Sequence, residues 1–318
     1  MFPKNDLSFS VVIPLFNKEK EIIRTLNSVF AQTKKPDEVI VVDDGSTDNG
    51  ALLVKEHFNG DVILIKQPNK GVSAARNKGI IEAKNQFVCL LDGDDEWLPG
   101  YLEEMSNLIT QFPSAIFYSI NLVFQNEEGT KFQSAIGVKS NHFGLIEDFP
   151  KTFSKGYGLI SSSSVCFRKE IIYEGITFPE GKQRGEDIYL WLKMSMIGQL
   201  AFSGKPLVLI HLDAQNRSIS QKGSVPYQYQ WYFAEKTNLK TSPNFQSIRK
   251  FIQSNAIISS YGFKMHGDNE SVKMIIKLFY KHRDLTFLLI IPALIIPHII
   301  LKVIMKYRRA FSSNSSKK

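Results

Sequence analysis

SVVIPLFNKEKEIIRTLNSVFAQTKKPDEVIVVDDGSTD, residues 10–48, holds one full unit of an alternating architecture. Ser10 to Leu15 is a short β-branched run that reads as a strand, and Glu38 to Val42 repeats the pattern. Between them Ile22, Ile23, Leu26, Val29 and Phe30 fall on one helical face, with Asn17 placed as N-cap and Pro36 closing the exit. A strand, a crossover helix and a second strand predict parallel pairing.

The pattern continues outward. Val62 to Lys66 and Phe87 to Leu91 read as a third and a fourth strand. A helix is expected to begin at Asp48, capped by that side chain, and another to run from about Ser73 to Ala83, where Ala74 and Ala75 permit close packing on the sheet. The fold class is therefore α/β: a Rossmann-like, mostly parallel sheet flanked by helices. Ligands in such sheets sit at the carboxyl ends of the strands. Those ends read Pro14-Leu15-Phe16-Asn17, Asp43-Asp44-Gly45-Ser46 and Asp92-Gly93-Asp94-Asp95.

From Ser114 the pattern is less regular: a strand-like Ala115 to Phe124, a polar loop from Gln125 to about Ser140, then Leu159 to Arg168 and a helical Glu186 to Ile197. These segments read as a second half packed on the same sheet. The expected organisation is a nucleotide-binding half over 1–112, an acceptor half over 113–225, a C-terminal helical extension over 226–284 and a hydrophobic segment with a basic tail over 285–318. No internal repeat is visible.

At 318 residues, 43% hydrophobic and 22% charged, the chain can bury a full core, which argues against global disorder. Its net charge of +8 calls for an anionic partner. The basic residues lack the aromatic interleaving of a single-strand platform and thicken beside a C-terminal apolar run, so a membrane surface is expected and nucleic acid is not. Cys89 and Cys166 each lie in a strand-like run, which speaks against a disulfide framework or a cysteine metal site and fits a reducing cytoplasm. Met1 to Phe9 carries Lys4 and Asp6 and no apolar stretch, so the catalytic part is expected on the cytoplasmic face of the membrane.

Leu285 to Leu301 bears no charge and is interrupted by Pro292 and Pro297. It barely reaches the ~17 to 25 residues that a spanning helix needs. Lys281, His282 and Arg283 precede it, and Lys302, Lys306, Arg308 and Arg309 follow, so positive charge gives no orientation. A re-entrant or interfacial, peripheral or monotopic anchor is the favoured reading, with a true span and a buried core hairpin as alternatives.

Crowded carboxylates repel unless a cation or hydrogen-bond donors compensate. Asp92, Asp94 and Asp95 offer hard oxygen ligands suited to Mg²⁺ or Mn²⁺, with a substrate's phosphates completing the shell. Read alone, the same residues also make an ordinary acidic turn, Asp43 and Asp44 an Asx-type turn, and Glu186-Asp187 an acidic helix start.

Taken together, Val11-Val12-Ile13-Pro14-Leu15-Phe16-Asn17, Val41-Val42-Asp43-Asp44-Gly45-Ser46-Thr47-Asp48, Gly71-Val72-Ser73-Ala74-Ala75-Arg76-Asn77 and Leu91-Asp92-Gly93-Asp94-Asp95 strongly resemble the family 2 glycosyltransferases of the GT-A fold. The resemblance continues through Ser161 to Lys169, Phe178 and Gly185-Glu186-Asp187, over roughly the first 220 residues. It implies an inverting transfer from a nucleotide diphosphate sugar to a lipid-linked or cell-surface glycan, in polysaccharide assembly. Pro14, Phe16 and Asn17 would line the base pocket and Asp44 would accept from a uracil N–H, which makes a UDP-sugar the expected donor. Asp94 would approach the ribose or metal and Asp95 the metal, with Asp92 in support. Gly71 would let backbone approach the donor, and Arg76 and Asn77 would tie their helix to the base or the acidic loop. Asp187 would be the catalytic base beside Glu186, and His211 a third metal ligand or a phosphate contact. A polyprenyl-phosphate glycosyltransferase and a non-catalytic membrane adaptor on the same fold remain as alternatives. Trp97 and Trp191 read equally as core or as sugar pocket.

Overall fold

The computed structural model describes residues 7–133, 136–182, 184–214 and 222–297. The amino-terminal half follows the expected alternation: β1 (Phe9–Leu15), α1 (Ile22–Phe30), β2 (Glu38–Asp43), α2 (Gly50–His57), β3 (Ile63–Lys66), α3 (Val72–Glu82) and β4 (Phe87–Leu90). β5 (Glu96–Trp97) and α4 (Tyr101–Gln111) close this half. β6 (Phe117–Gln125), β7 (Lys131–Gln133), β8 (Phe143–Ile146), α5 (Phe149–Phe153), β9 (Val165–Arg168), α6 (Glu186–Ile197) and β10 (Leu200–His211) follow, then the helices α7 (Tyr227–Leu239), α8 (Phe245–Met265), α9 (Asn269–Lys281) and α10 (Thr286–Ile295).

All the strands join one ten-stranded sheet whose main path runs β3-β2-β1-β4-β9-β6-β10-β5, with β7 on β6 and β8 on β10. β3, β2, β1 and β4 are parallel, β9 is antiparallel to both neighbours, and β10 is parallel to β6. The chain moves from β1 through β2 to β3 and then returns to lay β4 on the other side of β1. That reversal makes the β1/β4 boundary a switch point, where loops leave in opposite directions and open a crevice. It sets Pro14–Asn17 beside Asp92–Asp95.

Every residue of β1 is buried, because helices cover both faces of the sheet. Side chains alternate between faces, so Val12, Val42 and Leu90 enter one core, while Val11, Ile13 and Val41 enter the other. α1 and α4 cover the second core, through Ile22, Leu26, Met105 and Leu108. α3, α6 and the C-terminal helices cover the first. An aromatic ladder links sheet to extension: Phe117 meets Phe149 at 5.6 Å, Phe149 stacks on Phe153 at 5.2 Å, and Phe153 stacks on Phe251 of α8 at 5.2 Å.

Several local expectations are corrected. Asn17 does not cap α1; its backbone is left-handed, with φ 52°, and Glu21 occupies the cap position, where its side chain makes no capping bond to the helix. α2 starts two residues after Asp48, whose Oδ1 accepts the Gly50 N–H at 3.0 Å and whose Oδ2 accepts the Glu19 N–H at 2.9 Å. Within 159–168 only Val165–Arg168 is strand, and the polar loop after β6 contains β7. Trp97 and Trp191 belong to the core: Trp97 stacks on Tyr101 at 4.0 Å, and Trp191 meets Phe178 edge-on at 6.1 Å. Cys89 and Cys166 are register partners across β4 and β9, both buried with free thiols.

The apolar run after Asp284 forms α10, with Pro292 inside it. Ile290 and Ala293 are buried against the extension, while Leu285, Leu288, Leu289 and Ile295 are exposed. Among the described residues no helix is long and apolar enough to cross a membrane. Residues 298–301 of the run and the basic Lys302, Lys306, Arg308 and Arg309 lie outside the described residues.

Ala75 is buried beneath the sheet as expected, yet Gly79 sets the closest approach of α3 to it. A methyl group at Gly79 would collide with the Val12 side chain and press on Val42. Gly79→Val is therefore expected to cost about 1–3 kcal/mol through overpacking. Urea unfolding checks it: a lower midpoint with an unchanged slope is the expected result.

Candidate active site

The crevice is built from turns that the strand ends cannot avoid. At the end of β2, Asp43 Oδ1 accepts the Ser46 N–H at 2.9 Å, an Asx turn completed by Gly45 at φ 74°. Asn17 locks this turn to the end of β1: its Oδ1 accepts the Thr47 N–H at 2.8 Å, and its own N–H donates to Ser46 Oγ at 3.1 Å. Asparagine tolerates the left-handed conformation this requires. Asp44 is buried and organises the next wall. Its Oδ1 accepts from Gln67 Nε2 at 2.7 Å and from the Lys70 N–H at 2.9 Å, while Oδ2 accepts the Gly71 N–H at 2.8 Å. Gly71, at φ 89°, faces open space, so nothing blocks a ligand from its backbone.

The acidic loop after β4 is held from four directions. Arg76 Nη2 donates to Asp92 Oδ1 at 2.7 Å. Lys18 Nζ pairs with Asp94 Oδ2 at 2.7 Å. Asp95 Oδ2 accepts from Ser163 Oγ at 2.5 Å, and its Oδ1 accepts the His211 N–H at 3.1 Å. Asp95 remains short of positive charge: burial, then the neighbouring Asp94 and Asp92, hold its pKa well above the ordinary carboxylate value.

His211 ends β10 and is 3% exposed. Its Nε2 lies 2.6 Å from Glu96 Oε1, which Arg24 Nε approaches at 3.2 Å. With the carboxylate as acceptor, Nε2 carries the hydrogen and Nδ1 presents a lone pair. That buried Nδ1 has no hydrogen-bond partner among the described residues.

Glu186 and Asp187 open α6 on the far side of the acidic loop. Asp187 Oδ1 accepts the Ile188 N–H at 2.7 Å. Burial raises the Asp187 pKa, with Arg76 pulling it back. Burial and the adjacent Asp187 push Glu186 up to about 7, against the pull of the Arg76 guanidinium 3.6 Å away.

Pro14, Phe16, Asp44, Gly71, Arg76, Asp92, Asp94, Asp95, Glu186, Asp187 and His211 all line one cleft of about 710 Å³. Asn17 and Asn77 do not line it. Asn77 instead grips the segment leading to α6, donating to the Phe178 carbonyl at 2.9 Å and accepting the Phe178 N–H at 2.9 Å. Arg76 bridges Asp92 to Glu186 and lies over the Phe178 ring at 5.1 Å, so its contacts are to protein carboxylates and an aromatic face. Lys18, Ser163, Glu96 and Lys182 were missed. Only Ser163 carried a signal, as part of the hydroxyl run Ser161-Ser162-Ser163-Ser164 before a strand. Arg217 and Ser220, which sequence places beyond His211, lie outside the described residues.

A mixed sheet with its strand-end carboxylates gathered in a switch-point cleft is the architecture of the GT-A fold. Over nearly the whole chain the structure superposes on S. aureus TarS 1-349, a crystal structure in complex with UDP-GlcNAc, with TM-score 0.69 at 18% identity, covering 96% of this chain and 92% of that one. Residues 10–172 match glycosyl transferase family 2, and the chain belongs to that family and is a glycosyltransferase. It is similar to the amylovoran biosynthesis glycosyltransferase AmsB of Erwinia amylovora, 28% identical over 289 residues, covering 84% of this chain and 94% of that protein. It also resembles glycosyltransferase GlyA of Streptococcus pneumoniae, 29% identical over 204 residues, 61% of this chain but 29% of that protein's length.

Glu186 yields a pH test. Its folded pKa lies above the unfolded one, so the stability it contributes is complete below about 4.5 and is lost as pH rises towards about 7. Stability measured by denaturant across pH 4.5 to 7 is expected to fall in the wild type and to fall less steeply in Glu186→Gln. Equal slopes would show that the carboxyl is not desolvated.

Proposed function

We propose that this glycosyltransferase is an inverting, metal-assisted enzyme that moves a sugar from a nucleotide diphosphate donor, a UDP-sugar, to a hydroxyl of a lipid-linked or cell-surface glycan, with Asp187 as base. The observation that carries this reading is the placement of the buried Asp187 in the same cleft as the strand-end carboxylates Asp44, Asp94 and Asp95. A base needs a proton affinity high enough to take a proton as the new bond forms, and burial moves Asp187 in that direction. The acceptor oxygen bonds to the anomeric carbon as the bond to the diphosphate breaks, and the acceptor's proton passes to the Asp187 carboxylate. Attack from the face opposite the leaving group inverts the centre.

Pro14, Phe16 and Asp44 form the wall for the nucleoside, with Gly71 leaving its backbone open to close approach. TarS, whose structure holds UDP-GlcNAc, supports a uridine nucleotide by fold likeness. AmsB, named for amylovoran biosynthesis, supports a polysaccharide product.

A divalent cation fits the donor set. Asp95 is a buried carboxylate with excess negative charge around it, and His211 Nδ1 is buried with no hydrogen-bond partner among the described residues, the Asp213 carboxylate lying 3.8 Å away. No three His, Cys, Asp or Glu side chains are placed to hold a metal ion among the described residues, so phosphate and water would have to complete the shell. Asp95 and His211 would hold it, with Asp94 beside them and already shared with Lys18. Such an ion neutralises charge on the leaving diphosphate. The exposed leucines of α10 and the preceding Lys281 and Arg283 support attachment to an anionic membrane surface.

Calorimetric titration with UDP, with and without Mn²⁺, tests the assignment. Metal-dependent binding is expected in the wild type and its loss in Asp95→Ala. Asp187→Asn is expected to bind UDP as the wild type does while turnover falls about 10²–10⁴-fold, the usual contribution of a general base. Absence of UDP binding with metal present would sink the uridine donor, and full turnover in Asp187→Asn would sink the base.

A further inference from the structure

A second cavity, of about 550 Å³, opens between the segments around Lys182 and Tyr227 and the outer face of α9. Lys182 lines both this cavity and the catalytic cleft, so the two adjoin there. On α9 the cavity is lined by Met274, Lys277, Leu278 and Lys281, spaced i, i+3, i+4 and i+7, which is a single stripe of the helix. Cation and apolar group alternate along it.

The charges on this wall differ from others nearby. Arg184, also at the cavity, is committed to Asp268 at 3.0 Å and to Ser271 Oγ at 3.2 Å. Lys182, Lys277 and Lys281 have no carboxylate partner among the described residues; Lys182 lies over the Tyr227 ring at 5.2 Å. Ammonium groups gathered round one concavity raise its positive potential, and an anion is the complement. The apolar surfaces of Leu278 and Met274 between those charges favour a ligand that is both anionic and hydrocarbon-bearing. Beyond Lys281 the chain turns into α10, which packs on α9 and exposes Leu285, Leu288, Leu289 and Ile295.

The order along the protein is thus a carboxylate base, a cationic cavity and an apolar ridge. A prenyl-diphosphate-linked glycan presents the matching order: a sugar hydroxyl, a diphosphate and a hydrocarbon chain. We propose that the cavity beside Lys182, Lys277 and Lys281 is the acceptor's diphosphate subsite, and that the acceptor is a glycan carried on a prenyl diphosphate whose chain runs towards α10. This deepens the proposed function and rests on it for the identity of the reaction, but the cavity's ligand chemistry stands on its own residues.

Farnesyl diphosphate serves as the probe, titrated into the full chain with Mn²⁺ and saturating UDP, so that the donor position is filled. The variants are Lys277→Glu/Lys281→Glu and the milder Lys277→Gln/Lys281→Gln, both at exposed positions of α9, with thermal melts run beside them. The expected result is binding to the wild type that weakens at least about tenfold in the charge-reversed variant and less in the neutral one, as lost charge-assisted contacts require, with UDP binding unchanged. Equal affinity in wild type and both folded variants overturns the subsite. Inorganic diphosphate binding as tightly as farnesyl diphosphate overturns the prenyl carrier in favour of a soluble polyanionic glycan. Lysine-dependent binding of farnesyl diphosphate, in a protein that binds no UDP, supports the subsite while removing the donor assignment.

Discussion

A buried arginine set between carboxylates of two separate segments holds the site together. Arg76 reaches Asp92 in the loop after β4 and Glu186 at the start of α6, with the ring of Phe178 against its guanidinium. Burial alone would lower its pKa; Asp92 and Glu186 outweigh that and hold it raised. Breaking one side of such an arrangement leaves an uncompensated charge out of water, a cost of about 3–5 kcal/mol, so the pieces stay in register. The neighbouring Asn77 grips the Phe178 backbone in both directions, and α3 thereby positions α6 against the acidic loop.

That clamp makes sense of the close packing beneath it. α3 can present Arg76 to the cleft and Asn77 to the Phe178 backbone only by lying directly on the sheet, and Gly79 allows it to do so above Val12. Gly93 plays the same part in the acidic loop, where an added Cβ would sit 3.0 Å from the Pro14 carbonyl. The β1 and β4 ends are therefore in direct contact at the switch point, and the carboxylates converge because backbones do.

The remaining negative charge is distributed unequally. Asp92 and Asp94 have cations, Arg76 and Lys18. Asp95 has a hydroxyl and a backbone N–H, and His211 beside it keeps one ring nitrogen without a hydrogen bond among the described residues, 3.8 Å from the Asp213 carboxylate. Asp92, Asp94 and Asp95 all line the same cleft, and of them it is Asp95, without a cation among the described residues, whose pKa burial and its acidic neighbours raise well above the ordinary value.

The sequence by itself determined the alternating strands and helices, because periodicity and turn chemistry are local: β1 to β4, α3 and α6 lie within about two residues of where their patterns place them, the usual uncertainty of helix and strand ends. It also determined which carboxylates gather, since each strand end carries its own motif and parallel order forces those ends to one side. Tertiary structure decided what each group does once there. Asn17 reads as a cap from its neighbours, but its partner Thr47 is thirty residues away. Lys18 meets Asp94 across 76 positions and His211 meets Asp95 across 116, separations at which no local pattern constrains a pairing. The apolar run after Asp284 shows the same limit: composition sets its character, while packing on α8 and α9 selects which of its side chains are buried and which face outward.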